Sequence, residues 1–453
     1  MGVQAEVRTE IKACLQLAIP LAGAQLSQAA NGFADTLMMG LLGSQALAAG
    51  GLGSAAFMAL YIISTGVLSA VSPLVAEAHG ADRPDRVRQV AIQGVWLAVL
   101  IAIPLTLVIW HIDALMPYLG QEPENAVMAG AYLKAIAWGV LPGLAFAALE
   151  HVVAALSQPR PIMAIMVGGT MFNVGANYVL MFGKFGLPAL GLAGIGWATT
   201  LTYWLMLLSL GLYIANQPSL RRYRIFRHLL QFDWRTLWEV TQVGIPIGLL
   251  FAFETGLFTV TTFLMGYLGT TTLAAHQIAL RTASITFMVP LGIAYATTVR
   301  VGQLIGQNNP LGARLAGFVG MGLGGLFMAT MGLLVWLAPR AIASLYLDIN
   351  DPANQPVIDS AIALLGVAAL FQVFDGVQVV ASGALRGLKD TRIPMLLGIF
   401  SYWGIGLTSG CLLGLRWHLG GVGLWLGLAI GLAIASFILS WRFRYLTTPK
   451  TAL

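Results

Sequence analysis

Charge is what this chain has least of. Asp, Glu, Lys and Arg make up 9% of its 453 residues, against about 25% in a typical soluble domain. So sparse a set cannot coat a water-facing surface, and a soluble globular fold is excluded. Catalytic motifs are also missing. There is no G-x-S-x-G with partners, no phosphate-cradling loop of the Walker type and no metal-spaced His pair. No loop is long enough to hold a nucleotide domain, which argues against an ATP-driven pump. The start, "MGVQAEVRTEIKACLQ", is polar and has no small-residue cleavage site, so no cleaved signal peptide is expected. "MGVQAE" also lacks the Ser or Thr of a myristoylation motif.

What fills the chain is apolar: 58% of the residues are hydrophobic and the mean hydropathy is +0.81. Stretches of about 20 residues, enough to cross a bilayer, recur from end to end. They predict an all-α polytopic membrane protein with twelve spans, roughly 15–41, 46–74, 90–111, 127–154, 161–183, 191–215, 238–267, 272–299, 314–338, 357–384, 393–415 and 419–441. Orientation follows from the cations. With an even number of spans, both termini and the even-numbered loops share a side, and 19 of the 24 Lys and Arg fall there, Arg386 and the 221–235 cluster among them. Only Lys134, Lys184, Arg340 and Arg416 fall on the other side, and Arg281 lies within a span. By the positive-inside rule the termini are cytoplasmic, in a plasma (inner) membrane, and the net charge of +6 is addressed to anionic headgroups rather than nucleic acid. Cys14 and Cys411, the two cysteines, then sit at opposite faces, so neither a disulfide nor a cysteine metal site is expected.

The halves repeat. Pro20 in "LAIPLAG" pairs with Pro246 in "VGIPIGL", 226 residues on, and the same ungapped offset pairs Gly40 with Gly266, Gly80 with Gly306, Pro84 with Pro310 and Arg88 with Arg314. Chance matches among Leu and Ala are common in apolar sequence, whereas Pro, Gly and Arg in a single register are not. The repeat predicts a lobe over 1–215, a basic amphipathic linker helix over 216–239 and a second lobe over 240–453. Parallel repeats of this kind typify transporters that rock two bundles about a central site. Pro20 and Pro246 would bend the first helix of each half.

Of eighteen carboxylates, only Asp35, Glu150, Glu254 and Asp375 lie deep in spans. Each costs at least about 2.5 kcal/mol to insert, so such groups face a bundle interior and serve function, or form structural pairs. Glu254 is the only charge between Val240 and Tyr267. Glu150, near the loop "SQPRP", is the weakest functional candidate. Asn173 and Asn177, four apart, share a helix face. Either they join Thr199 or Thr200 as oxygen ligands around Asp35, or they are interhelical hydrogen-bonding glue. His276 reads as structural. The aromatic residues near the acids, Phe251, Phe258, Phe371 and Tyr402 with Phe33 and Phe374, either pack or receive an organic cation on their faces. Arg281 lies eight residues past Leu273, about 12 Å into its span. That depth predicts a pair with Glu254 or Asp375.

Five stretches carry a resemblance: "FADTLMMGLLGSQALAAGGLG" (33–53), "AAHQIAL" (274–280), "FMVPLGI" (287–293), "VRVGQLIGQNNP" (299–310) and "ASGALRGLKDTRIP" (381–394). Together they resemble multidrug and toxic-compound extrusion (MATE) proteins, in particular the NorM-like branch. The resemblance implies a twelve-helix antiporter of two six-helix lobes. It would export amphipathic, often cationic compounds in exchange for Na⁺ or H⁺, as a monomer in the bilayer and without a cofactor. It also implies that Glu254, Asp375 and Asp35 are the coupling acids, with Na⁺ held transiently by Glu254 and Asp375. Asn173, Asn177, Phe251, Phe258, Phe371 and Tyr402 are the expected substrate contacts. Three positions depart from the family: Asn177 stands where one branch has a second acid, Glu150 where relatives often have Arg, and Arg281 where Asn is usual. Two rival readings stand beside this one. A lipid-linked-sugar flippase of the same superfamily would need a basic cavity, and a membrane enzyme would need clustered His or a reactive Ser or Cys near headgroup level.

Overall fold

A computed structural model describes residues 3–114, 116 and 122–448. Among these residues there is no strand. The first half runs through α1 (Val3–Leu41), α2 (Ser44–Leu68), α3 (Val71–Gly80), α4 (Pro84–His111), α5 (Pro123–Ala137), α6 (Val140–Ala155), α7 (Pro159–Phe182) and α8 (Leu192–Asn216). A short α9 (Pro218–Arg221) leads to α10 (Trp234–Tyr267), α11 (Thr270–Gly306) and α12 (Pro310–Leu337). Then come the short α13 (Pro339–Ala343), α14 (Gln355–Gly387), α15 (Arg392–Ile399), α16 (Thr408–Cys411) and α17 (Gly420–Leu446). π-helical turns at Phe400–Leu407 and Leu412–Arg416 continue α15 and α16 into one span.

Among the described residues ten spans are long and apolar enough to cross a membrane, and α5 with α6, bent by 49° at their junction, makes an eleventh if taken as one span. The 39-residue α1 fills the remaining expected place, although its mix of Gln, Glu and Lys makes it less apolar. The twelve places are those read from the sequence. Several helices outrun their apolar segments: α11 continues to Gly306, about two turns beyond the expected boundary.

The repeat is written in backbone geometry. Gly43 precedes α2 at φ 108°, and Gly269 precedes α11 at φ 122°. These two residues are one repeat apart, and both hold a conformation that costs glycine little and other residues much. Asp82 (φ 51°) and Asn308 (φ 56°) form a second matched pair, each two residues before a Pro that opens a helix, Pro84 of α4 and Pro310 of α12. Pro at the first helical position gives up only an N–H that would be unpaired anyway.

Two compact units emerge, one of Gly23–Gly248 and the other of Met1–Ala22 with Leu249–Leu453. Their borders, Ala22 and Gly248, are again one repeat apart, so α1 and α10 are each divided at the equivalent point. Within the second unit, the start of α1 is fastened to α11 by a bidentate pair, Arg300 to Glu10 at 2.8 and 2.7 Å. Gly292 abuts the backbone of Ala22 so closely that a Cβ would sit 2.5 Å from its nitrogen. Within the first unit, Gly244 and Gly248 meet the backbone of α2 at Val67 and Ile63 in the corresponding way.

The basic segment 216–239 is not one amphipathic helix. Arg224 adopts φ 50° and a 3₁₀ turn follows at Ile225–His228, so the chain folds back instead of continuing α9. The segment belongs to the first unit. Trp96 donates to Leu229 O at 2.9 Å, Gln93 to Gln231 O at 2.9 Å, and Arg86 to Thr236 at 2.8 Å and to Glu239.

Candidate functional site

In the second unit, α14 packs against α11, α12 and α17. It buries a polar stripe that includes Gln372, Asp375, Gln378, Ser382 and Arg386, all 6% exposed or less. Their spacings of three and four residues keep them on one helical face. Asp375 and Arg386 are eleven residues apart, three turns, which returns to the same face about 16 Å along the axis. Glu254, half-buried on α10, lies within electrostatic reach of both Asp375 and Arg386. Glu254 and Asp375, 121 positions apart in sequence, thereby act on one another electrostatically, and Arg386 acts on Glu254.

Oxygen and nitrogen atoms line the rest. Thr286 donates to Gln372 Oε1 at 2.7 Å, and Gln378 Nε2 donates to the Tyr402 hydroxyl. Tyr402 comes from the π-helical part of its span; such turns often mark functional sites. Gln372 Nε2, Gln378 Oε1 and Arg386 Nη1 are buried without a hydrogen-bond partner among the described residues. Each such group costs about 1–3 kcal/mol if left unsatisfied. Two carboxylates, a free amide oxygen and a phenol oxygen suit a hard monovalent cation, which prefers oxygen ligands. A proton needs only the carboxylates.

The first unit holds Asp35. Asn177 Nδ2 donates to Asp35 Oδ1 at 2.7 Å and to Asn173 Oδ1 at 2.9 Å. Asn173 Nδ2 in turn reaches Thr199 Oγ1 at 3.4 Å. Asn173 and Asn177 are fully buried and link α1, α7 and α8 by hydrogen bonds, and it is the nitrogen of Asn177 rather than an amide oxygen that meets Asp35. Thr199 is the threonine that joins them; Thr200 bonds the Ala135 carbonyl at 2.8 Å instead. Tyr132 and Tyr203 also lie within electrostatic reach of Asp35. Glu150 is instead near Tyr61, which stacks on Tyr203 with centroids 5.7 Å apart.

Arg281 does not meet the expectation. It is exposed and makes no ion pair among the described residues. The reason is helical phase: Ala275, His276, Ile278, Ala279 and Ala283 form the buried side of α11, and Arg281 points the other way with Ala274, Ser284 and Ile285. The cation of this site is Arg386, which hydropathy assigns to a cytoplasmic loop because the apolar run stops at 384. The helix continues to Gly387 and carries the guanidinium inward. Its orphaned Nη1 faces no partner, Nη2 bonds Ser382 at 3.2 Å, and its carbon lies 5.1 Å from the Phe251 ring centroid. Phe251 thus already has a cation on its face. Phe258 and Phe371 have ring centroids 6.3 Å apart, and those of Phe371 and Trp425 are 5.3 Å apart, so these two aromatics belong to the packing of the hydrophobic core. His276 is structural: Trp425 Nε1 donates to its Nδ1 at 3.1 Å, which leaves Nε2–H for Thr262 Oγ1 at 3.0 Å.

The family model MatE matches residues 20–179 and 246–412, two stretches that begin at Pro20 and Pro246. A probable multidrug resistance protein NorM from Synechocystis sp. is 46% identical over 452 residues, covering 100% of this chain and 97% of its own. A probable multidrug resistance protein NorM from Pseudomonas aeruginosa is 43% identical over 439 residues, covering 97% of this chain and 90% of its own. Among solved structures, a MATE in the straight conformation shares the fold at TM-score 0.88 and 20% identity, over 97% of this chain and 96% of that one.

Proposed function

This chain belongs to the MatE family of multidrug and toxic-compound extrusion transporters, and from that premise we propose that it exports amphipathic, often cationic compounds in exchange for Na⁺ or H⁺ by alternating access. It is a transporter and not an enzyme. Its place is a plasma (inner) membrane with both termini cytoplasmic, and it works as a monomer in two lobes. The NorM relatives are named multidrug resistance proteins, and the scarcity of internal cations fits a cavity for positively charged cargo better than one for pyrophosphate.

The observation that carries the coupling assignment is the electrostatic proximity of half-buried Glu254 to buried Asp375 and buried Arg386. A carboxylate takes up Na⁺ or a proton reversibly, and its amide isostere takes up neither. Glu254 and Asp375 exchange the coupling ion, with Gln378 and Tyr402 as neutral oxygens. Asp35, with one oxygen already bound to Asn177, shapes cation recognition in the other unit. Phe251 and Tyr402 line the C-terminal site, whereas Phe258 and Phe371 support it. The test is dye efflux from reconstituted vesicles under separately imposed Na⁺ and pH gradients, for wild type, Glu254→Gln and Asp375→Asn. Both variants are expected to lose gradient-driven export, and wild-type rates in both would overturn the assignment.

A further inference from the structure

Pro339 has no N–H to continue α12, and Ala338 turns the chain at φ −130° and ψ 47° into the five-residue α13. α13 packs on α14, and the break leaves a cavity of about 370 Å³ lined by Leu337, Ala338, Pro339, Arg340, Asp359 and Ile362. Small-molecule sites run from about 300 to 1,000 Å³, so this one admits a headgroup and not a whole lipid. Its walls are ordered by depth. Arg340 lies three residues beyond Leu337, past the end of α12, and Asp359 lies three residues before Ile362, toward the start of α14. The apolar pair therefore stands on the side of the spans, and the charged pair on the side of water. Arg340 and Asp359 share the cavity without meeting: neither makes an ion pair among the described residues. Asp359 Oδ1 accepts from Gln355 Nε2 at 2.9 Å, which leaves Oδ2. Beside the cavity the surface is apolar. Leu337 is 64% exposed, and Leu333, one turn deeper on the same face, is 55% exposed. Trp336, also 64% exposed, marks the level where indole rings collect at a membrane surface.

We propose that this cavity binds the headgroup of a membrane phospholipid whose tip carries hydrogen-bond donors, as ethanolamine and glycerol do and choline does not. Arg340 takes the phosphate, which a guanidinium matches in charge and in geometry. Asp359 accepts from the N–H or O–H groups of the tip, and a quaternary ammonium has none to give. Leu333 and Leu337 carry an acyl chain, a stripe for which a soluble phosphate compound would have no use. Recognition is thus divided between two residues: Arg340 holds any phospholipid, and Asp359 selects among them.

Native mass spectrometry of the purified full-length protein in detergent follows lipid binding. The probes are phosphatidylethanolamine, phosphatidylglycerol and phosphatidylcholine with identical chains. Wild type should bind the first two about fivefold more tightly than the third, the reach of an exposed charged contact. Asp359→Ala should remove that preference and leave phosphatidylcholine binding unchanged. Arg340→Gln should weaken all three lipids by a similar factor and keep the preference. Both side chains are exposed, so neither change threatens the fold. Glycerophosphoethanolamine, which is the headgroup without chains, should compete poorly. Wild-type binding that ignores the tip, or an Asp359→Ala variant that keeps the preference, would overturn the proposal. Competition by the chainless headgroup as strong as by the whole lipid would overturn it too, and would assign the cavity to a soluble phosphate compound.

Discussion

Asn177 donates a 2.7 Å hydrogen bond to Asp35, so this acid of the first unit is held by an amide where a family branch places a second acid. That bond takes part of the carboxylate's freedom to bind cargo. Asp35→Asn retains an acceptor for Asn177 and removes only the charge. Charge-assisted contacts are worth about 1.5–3 kcal/mol, so affinity for cationic cargo should fall roughly tenfold to a hundredfold. Neutral cargo should be nearly unaffected. Parallel efflux assays with a cationic and a neutral compound check this, and equal losses for both would assign Asp35 a structural or general coupling role.

The exposed position of Arg281 reverses an expectation drawn from depth alone. Arg281→Asn should leave the apparent affinity for the coupling ion within about twofold of wild type, since a separation outside pairing distance leaves little Coulomb energy in a screened medium. A cation-dependence curve of dye export measures it. A larger shift would mean that Arg281 reaches the acids during the cycle.

These two residues show what sequence makes legible. Glu254 and Asp375 stand out because a carboxylate in an apolar run has no cheap structural reason to be there. The repeat stands out because Pro and Gly mark backbone geometry, and Gly43 with Gly269 realises that geometry. Arg386 is hidden because hydropathy measures where apolar residues stop, while a helix goes on while its backbone bonds are satisfied. A signal was present in "ASGALRG", where small residues around an Arg permit close packing on every side. Arg281 misleads because depth was read without phase. Gln372 and Gln378 were missed because an amide is unremarkable in sequence until its burial is known. The composition of the linker reads as one helix, and the left-handed turn at Arg224 has no strong signature in "RRYRIF".

Close helix packing makes a stability prediction. On α17, a Cβ at Gly427 would lie 2.2 Å from the Gly410 Cα and 2.6 Å from the Gly406 carbonyl oxygen. These are backbone atoms that cannot rotate away. Small residues permit this approach between membrane helices. Gly427→Ala should cost about 1–3 kcal/mol through overpacking, seen as a lower melting temperature in detergent. An unchanged melting temperature would show that the two helices separate at no cost.

At the start of α10, Asp233 accepts from Thr236 Oγ1 at 2.7 Å and from Arg235 N at 3.1 Å. The Thr236 bond, opposed by burial and helped by the local amides and the charge of Arg86, holds its pKa below the ordinary carboxylate value. A depressed folded-state pKa contributes stability above the unfolded value, and that contribution disappears as pH falls through the folded one. Asp233→Ala should therefore melt below wild type at neutral pH, with the gap closing below about pH 4. A gap that persists in acid would assign the effect to packing rather than charge.

The coupling role of Glu254 and Asp375 is tested most directly by imposed gradients. Purified protein is reconstituted into vesicles, a Na⁺ gradient or a pH gradient is set up alone, and export of a cationic dye is followed for wild type, Glu254→Gln and Asp375→Asn. Wild type should export under at least one gradient, and each variant should fall to the rate seen without a gradient while still binding the dye. Gradient-driven export at the wild-type rate in both variants would contradict the account.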